Sequence, residues 1–227
     1  MNCTDFNTWW NDFLVEPRIC EAKDGGFGAR DEINRYIALL SPDLRTEFID
    51  ELVSIVCDRS KGSGVAFSVL EKNCTAEGFS RIASYVSTLS ASTGLDDQSA
   101  LSAALRVLAG SDNPRHRDLL KRYLLVAPIG VYWTSVPWAL WPRDMDMFAR
   151  SWTRYFSSVP ATTWRDTVIV QAFLSKSDAI VCVRDVLQSA TEEAWGHLRM
   201  ALLKQIDRPW LKESEREQLK LACGNAG

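Results

Sequence analysis

The amino-acid sequence predicts an all-α fold of antiparallel helical hairpins stacked as an irregular α-solenoid of about 10–12 helices. The first observation is a set of short polar residues, each of which precedes a stretch whose apolar side chains recur every three or four positions. These helix-start residues are Thr4, Ser41, Thr75, Asn113, Thr163, Ser177 and Thr191. The second observation is that no long period-2 alternation and no Asn-Gly or Asp-Gly hairpin between apolar runs occurs in the sequence.

The first half of the chain divides into helices at its glycines and prolines. A helix starts at Thr4 and ends before Pro17, and the three glycines between residues 21 and 30 predict a loop. At 41–43, Ser-Pro-Asp combines a cap, a proline suited to the first turn and an acidic residue suited to the positive helix end. The helices predicted here are the one from Thr4, one over about 31–40, one from Ser41 with a stripe to Val56 that is broken at 61–64, one over 65–71, one from Thr75 towards a loop at 87–94, and one over 101–108 that ends near Gly110.

The second half repeats these signals around a segment rich in tryptophan. Asn113 and Pro114 form another cap-plus-proline start, and prolines interrupt the chain at 128, 137 and 142. The apolar stripe that begins with Met145, Phe148 and Trp152 predicts a helix whose stripe residues are core. Further helices are predicted from Thr163, Ser177, Thr191 and Pro209, the last ending near Ala222.

Two segments resemble the helical hairpin of HEAT-type repeats. Residues 112–120 (DNPRHRDLL) and 191–199 (TEEAWGHLR) each place an acidic or polar cap before an arginine and an apolar stripe. Helix pairs also start at intervals of about 28–38 residues, as stacked hairpins do. The resemblance implies a curved α-solenoid with a binding face, and it implies no activity. A single domain over 1–227 is expected, with a subdivision near 110–113 or 128–142 as the alternative.

Composition and charge narrow the class of protein. The chain has 227 residues and a formal net charge of −3, which disfavours a nucleic-acid binder without excluding a local basic strip. It has no apolar run of about 18 residues and no signal-peptide pattern at its first residues. We therefore expect a cytoplasmic protein with no membrane association.

No cofactor or metal is expected from the ligand types. The six cysteines form no C-x-x-C pair, and neither histidine is spaced to complete a metal site with them. Buried free thiols are the expected state of the cysteines. No serine, cysteine or carboxylate accompanies His116 or His197 in a nucleophile motif, so no catalytic residue is assigned. A non-enzymatic protein is therefore favoured over an enzyme.

The segment 131–164 holds the strongest candidate binding residues. Trp133, Trp138 and Trp141 follow no helical stripe, so a recognition surface and core packing are both open for them. The candidate partner-binding set adds the charged residues that follow, for which a surface or capping role is the structural alternative. The set is Trp133, Trp138, Trp141, Arg143, Asp144 and Asp146.

A second candidate surface is basic. Several positive residues follow the Asn113 cap and would meet phosphates or an acidic partner, although a solvated helix face has the same composition. The strip consists of Arg115, His116, Arg117, Lys121 and Arg122.

Three functions are compatible with these features. The favoured one is a non-catalytic protein-interaction module, in particular a bacterial immunity or inhibitor protein that neutralises a toxin-like partner by charge complementarity. The first alternative is a nucleic-acid-binding enzyme on a HEAT-like scaffold, such as a DNA glycosylase. The second alternative is a helical protein that binds a small molecule among its tryptophans.

Overall fold

The computed structural model describes residues 3–15, 27–89, 94–128, 136–140, 143–158 and 211–224, together with 196, 199, 200, 202–204, 206, 207 and 209. Every regular element in these ranges is helical and none is a strand, which confirms the all-α class for this part of the chain. The helices are α1 (Cys3–Val15), α2 (Phe27–Leu39), α3 (Pro42–Cys57), α4 (Ser63–Asn73), α5 (Ala76–Leu89), α6 (Leu95–Leu108), α7 (Pro114–Lys121), α8 (Val136–Leu140), α9 (Met145–Ser158) and α10 (Glu213–Cys223). A π-helical turn, Arg122–Val126, continues α7.

Three of the predicted helix-start residues lie directly before a helix. Thr75 Oγ1 accepts a hydrogen bond from the Gly78 backbone N–H at 3.0 Å, and Asn113 Oδ1 accepts one from Arg115 N–H at 3.0 Å. Ser41 stands at the start of α3, but its side chain makes no capping hydrogen bond. Thr4 lies inside α1, which begins at Cys3. The starts predicted at Thr163, Ser177 and Thr191 lie outside the described residues.

Some helix boundaries differ from the predictions. α2 begins at Phe27, so part of the predicted glycine loop is helical. α6 begins at Leu95, where Asp96 and Asp97 place negative charge at its positive end. α10 begins at Glu213, after Pro209, because Glu215 accepts the Lys212 backbone N–H at 2.8 Å and closes the first turn there.

The chain packs as two compact units. Unit 1 comprises Met1–Tyr123 and Gly130–Ala139, and unit 2 comprises Leu124–Ile129 and Leu140–Gly227. The expectation of a single domain stays a prediction. No helix in the described ranges has both the length and the apolar character needed to cross a membrane.

The helices of unit 1 follow a regular contact pattern. The first four helices each pack against the second helix after them: α1 on α3, α2 on α4, α3 on α5 and α4 on α6. The consecutive pairs α3–α4, α5–α6 and α6–α7 pack as well. Each inner helix therefore buries its apolar stripe against more than one neighbour.

Helix α1 is held against the turn between α3 and α4 by contacts of a tryptophan and a glycine. The Trp10 side chain is 1% exposed, and its Nε1–H donates to the Lys61 carbonyl at 2.9 Å. The Lys61–Gly62 turn joins α3 to α4, and Gly62 has a φ of +85°. This left-handed conformation favours glycine, whose missing Cβ also leaves room for the rings and methyl groups of α1.

The core of unit 2 includes the stripe of α9. Phe148 and Trp152 are fully buried, and the Trp152 ring meets Tyr155 edge-on at a centroid distance of 5.7 Å. The core prediction is confirmed for Phe148 and Trp152. It is wrong for Met145, which is only half-buried, because the buried face is shifted to include Met147.

Asp144 is the capping residue of α9, because its Oδ1 accepts the Met147 backbone N–H at 3.0 Å. We expect Asp144→Ala to lower the free energy of unfolding by about 1 kcal/mol. Asp146→Ala should cost less than about 0.5 kcal/mol, since Asp146 is exposed and pairs with Arg150 only at 3.5 Å. Urea unfolding of the two variants measures both losses, and equal losses would contradict the capping assignment.

Candidate functional site

The predicted tryptophan surface lies mostly beyond what the structure describes. Trp133 and Trp141 are outside the described residues, and Trp138 falls within α8 without a described side chain. Its neighbours Val136 and Leu140 are buried in the protein. A recognition surface and core packing both stay predictions for the three tryptophans.

The charged members of that predicted set belong to unit 2. Arg143 is exposed and takes part in an interaction within the chain. Asp144 caps α9, and Asp146 is an exposed partner of Arg150. Asp144 therefore has a structural task, whereas Arg143 and Asp146 stay candidates for contact with a partner.

The basic strip on α7 needs a correction. Arg115, Lys121 and Arg122 are exposed and Arg117 is half-buried, whereas His116 is only 6% exposed. His116 lies four residues before Leu120, so it falls on the apolar stripe that packs inward. Its exclusion from the strip leaves four positive residues, of which Lys121 pairs with Asp118 at 3.7 Å and Arg117 pairs with Asp112 at 3.9 Å.

His116 belongs to a small buried polar pair. The Ser111 hydroxyl lies 2.8 Å from His116 Nδ1 and accepts the Asn113 backbone N–H at 3.2 Å. A hydroxyl donates one hydrogen bond and accepts up to two, so the direction of the Ser111–His116 hydrogen bond follows the tautomer of the ring. Burial lowers the pKa of His116 below its ordinary value of 6.5, because the charged imidazolium is poorly solvated inside the protein. The pair fixes the loop before α7.

This histidine predicts a pH-dependent stability. Because the folded-state pKa lies below the unfolded value of 6.5, the stabilising contribution is complete above pH 6.5 and is lost as the pH falls through the folded-state pKa. His116→Gln should flatten the fall in unfolding free energy between about pH 7.5 and pH 5. Urea titrations at a series of pH values measure it, and parallel curves for the two proteins would contradict it.

A concave site lies at the α1 end of unit 1 and is here called the α1–α3 groove. Its volume is about 360 Å³. The floor is made of apolar and aromatic side chains: Phe6 on α1, Tyr36 on α2, Leu40 directly after α2, and Leu44 and Phe48 on α3. Two carboxylates of α3, Glu47 and Glu51, complete the described lining.

Aromatic packing holds the groove in shape. The Phe6 and Phe48 rings meet edge-on at a centroid distance of 5.1 Å, and Tyr36 lies 5.6 Å from Phe48. Trp9 stacks on Tyr36 at 5.4 Å. Contacts of this geometry stabilise aromatic clusters beyond simple burial, so three helices are joined directly beneath the floor.

The groove combines a rigid apolar floor with negative charge. Phe6 and Phe48 are 1% and 4% exposed, whereas Leu44 is 42% exposed and presents its side chain to solvent. Glu47 is exposed and Glu51 half-buried, one helical turn apart. Such a surface is suited to an apolar side chain with a cation beside it.

Sequence reasoning did not identify this groove. Phe6, Tyr36 and Phe48 recur with the apolar periodicity of three separate helices, which is typical of core positions and gives no sign of a groove. The available signal was local: Leu44 and Phe48 share a face of α3 with Glu47 and Glu51, so an apolar stripe runs beside paired carboxylates.

Comparisons with known proteins add no relative. No protein-family model, no curated protein and no solved structure matched the chain.

Within the described residues no cluster of three or more histidine, cysteine or acidic side chains is arranged to hold a metal ion. Cys57, Cys74 and Cys223 are free thiols, and burial raises the pKa of Cys74 to about 12.

Proposed function

We propose that this chain is a non-catalytic protein-interaction module in which unit 1 forms a short α-solenoid of the HEAT-like kind. The contact pattern supports the solenoid part of the proposal. Helices α1 to α4 each pack on the second helix after them, while α3–α4 and α5–α6 form packed pairs. Two parallel layers of stacked helices have this contact order, and such stacks present their helix faces to partners.

The α1–α3 groove is the observation that carries the interaction proposal. Its floor exposes part of Leu44, and Leu39, at the end of α2, is 85% exposed. Large apolar side chains at a surface depression with a polar border are characteristic of protein-interaction sites. The aromatic contacts beneath the floor pre-organise the groove, so that little conformational entropy is lost on binding.

Within this class, we propose a cytoplasmic inhibitor of the bacterial immunity type, which neutralises a basic partner protein. The net charge of −3 and the carboxylates of the groove support this form of the proposal. Long-range attraction between opposite charges accelerates such associations and selects against acidic partners.

The groove volume of about 360 Å³ also favours a second candidate, a small-molecule-binding helical protein, because ligand pockets occupy about 300–1,000 Å³. This alternative predicts that the bound ligand is largely enclosed. The exposed Leu39 at the end of α2 instead supports a ligand that extends beyond the groove.

Site-specific photo-crosslinking in the native cell tests the function. A benzophenone amino acid replaces Leu44 in the groove, and in a control protein it replaces Glu77, an exposed residue in the first turn of α5. We expect a discrete protein adduct from position 44 and none of that mass from position 77. If position 44 gives no protein adduct, or both positions give the same adducts, the interaction proposal fails at this site.

A further inference from the structure

We propose that the α1–α3 groove binds a segment of a partner protein that carries a large apolar side chain flanked by lysine or arginine. This inference rests on the proposed function, because it names the chemistry of the partner at the same site. It combines two properties of the groove, an apolar floor and a border that is negative on α3.

The floor selects an apolar anchor. Five apolar or aromatic side chains line it, four from α1, α2 and α3 and one from Leu40 directly after α2. Phe6 and Phe48 are buried, and their rings form its base. Burying one leucine-sized or aromatic side chain of a partner against such a base contributes about 1.5–3 kcal/mol. An anchor of this kind gives affinity without selecting the sign of the neighbouring charge.

The carboxylates select the charge beside the anchor. Glu47 and Glu51 are four residues apart on α3, which places their side chains about 5–6 Å apart on one face. Asp43, four residues before Glu47, continues the same row and is exposed. No lysine, arginine or histidine is among the described lining residues. A guanidinium or ammonium group beside the anchor therefore meets the carboxylates of Glu47 and Glu51 on the α3 side of the groove.

The contribution of the carboxylates to affinity is the difference in their electrostatic energy between the free and the occupied groove. Glu47 and Glu51 each already take part in an interaction within the chain, so a cation of the partner adds to that interaction or replaces it. Like charges at this spacing also oppose each other by about 0.2–0.5 kcal/mol, and a bound cation relieves that repulsion. The groove should therefore favour positive segments over negative ones.

Competing occupants are disfavoured by the same charges. An anionic ligand would face two carboxylates, and a second copy of the chain would bring two such borders together. A neutral apolar molecule would use the floor and leave the interactions that Glu47 and Glu51 make within the chain unchanged. These occupants give different results in a charge-reversal experiment.

The experiment is a selection from a random 16-residue peptide library displayed on phage. The immobilised full chain is the target, and the Leu44→Glu variant is used for counter-selection, so that only peptides needing the apolar floor remain. We expect the enriched peptides to carry apolar residues next to lysine or arginine. They should bind at least about tenfold more tightly than the same peptides with glutamate at the basic positions.

Charge reversal of the groove is the decisive arm. The target Glu47→Lys/Glu51→Lys should enrich peptides with acidic residues beside the apolar anchor and lose affinity for the basic ones. The matched control, Glu77→Lys/Asp112→Lys, changes the net charge equally at two exposed sites and should keep the original preference. Circular dichroism of each variant verifies that its helical content is retained.

Other outcomes overturn the inference. If the enriched peptides carry no positive charge, the site is assigned to a neutral apolar ligand. The same assignment follows if Glu47→Lys/Glu51→Lys leaves the affinity for the basic peptides unchanged. If no peptide is enriched on the parent protein relative to Leu44→Glu, a basic segment is not the occupant. The same conclusion follows if the parent protein self-associates and Leu44→Glu abolishes that association. If position 44 still crosslinks to a protein in the cell, only this inference fails; if it does not, the proposed function fails with it.

Discussion

Replacement of Trp152 by alanine is expected to lower the free energy of unfolding by about 3–5 kcal/mol. The side chain is fully buried in α9, and its ring contacts Phe148 and Tyr155 edge-on at centroid distances of 6.4 and 5.7 Å. Alanine would remove the apolar burial and leave a cavity that surrounding helices only partly fill. The loss should reach a large part of the stability of a domain of this size.

Urea unfolding followed by far-UV circular dichroism measures this loss. The control is Arg150→Ala on the same helix, which removes only an exposed pair with Asp146 at 3.5 Å and should change the unfolding free energy by less than about 0.5 kcal/mol. If Trp152→Ala unfolds at the same urea concentration as the parent, the assignment of this ring to the core of unit 2 is wrong.

The second large effect is expected at Gly62, where alanine should cost about 2–4 kcal/mol. The φ of +85° is a left-handed conformation that side chains other than glycine rarely adopt. A Cβ there would also lie 2.6 Å from Leu14 Cδ1 and 2.9 Å from Trp10 Cζ2. The Leu14 side chain has some freedom to move, but the Trp10 ring is buried and hydrogen-bonded to Lys61.

The chain offers a matched control two residues away. A Cβ at Gly64 meets nothing within 4 Å, and Gly64 lies in the first turn of α4, where alanine is the better helix former. Gly64→Ala should therefore raise the unfolding free energy by up to about 1 kcal/mol. Thermal unfolding of both variants tests the pair, and a shift of the same sign for both would contradict the packing of α1 on this turn.

Helix starts could largely be predicted because their causes are local. Pro42 in the first turn of α3 and the capping hydrogen bonds of Thr75 and Asn113 involve residues at most three positions apart. The late start of α10 was missed although its cause is also local. Glu215 closes the first turn by accepting the Lys212 backbone N–H, which outweighs the start signal of Pro209.

The candidate site was predictable only in part. Apolar periodicity correctly placed Phe148 and Trp152 inside the protein. The same rule describes one helix at a time, so it cannot predict a surface depression between helices. His116 shows the opposite error: its charged neighbours suggested exposure, whereas its place four residues before Leu120 puts it on the buried face of α7. Residue type was given more weight there than helical position.

The sequence by itself determined that this chain is helical and where most of its described helices begin, because capping and apolar periodicity act over a single helical turn. Only the tertiary structure decided that Phe6, Tyr36 and Phe48 meet under one groove with Glu47 and Glu51 at its border. Those side chains belong to three helices, and their convergence depends on the packing of α1 on the turn at Gly62. Contacts between residues on different helices, such as Phe6 with Phe48 and Tyr36 with Phe48, produce no periodic pattern in the sequence, so the shape and charge of the groove are properties of the folded chain.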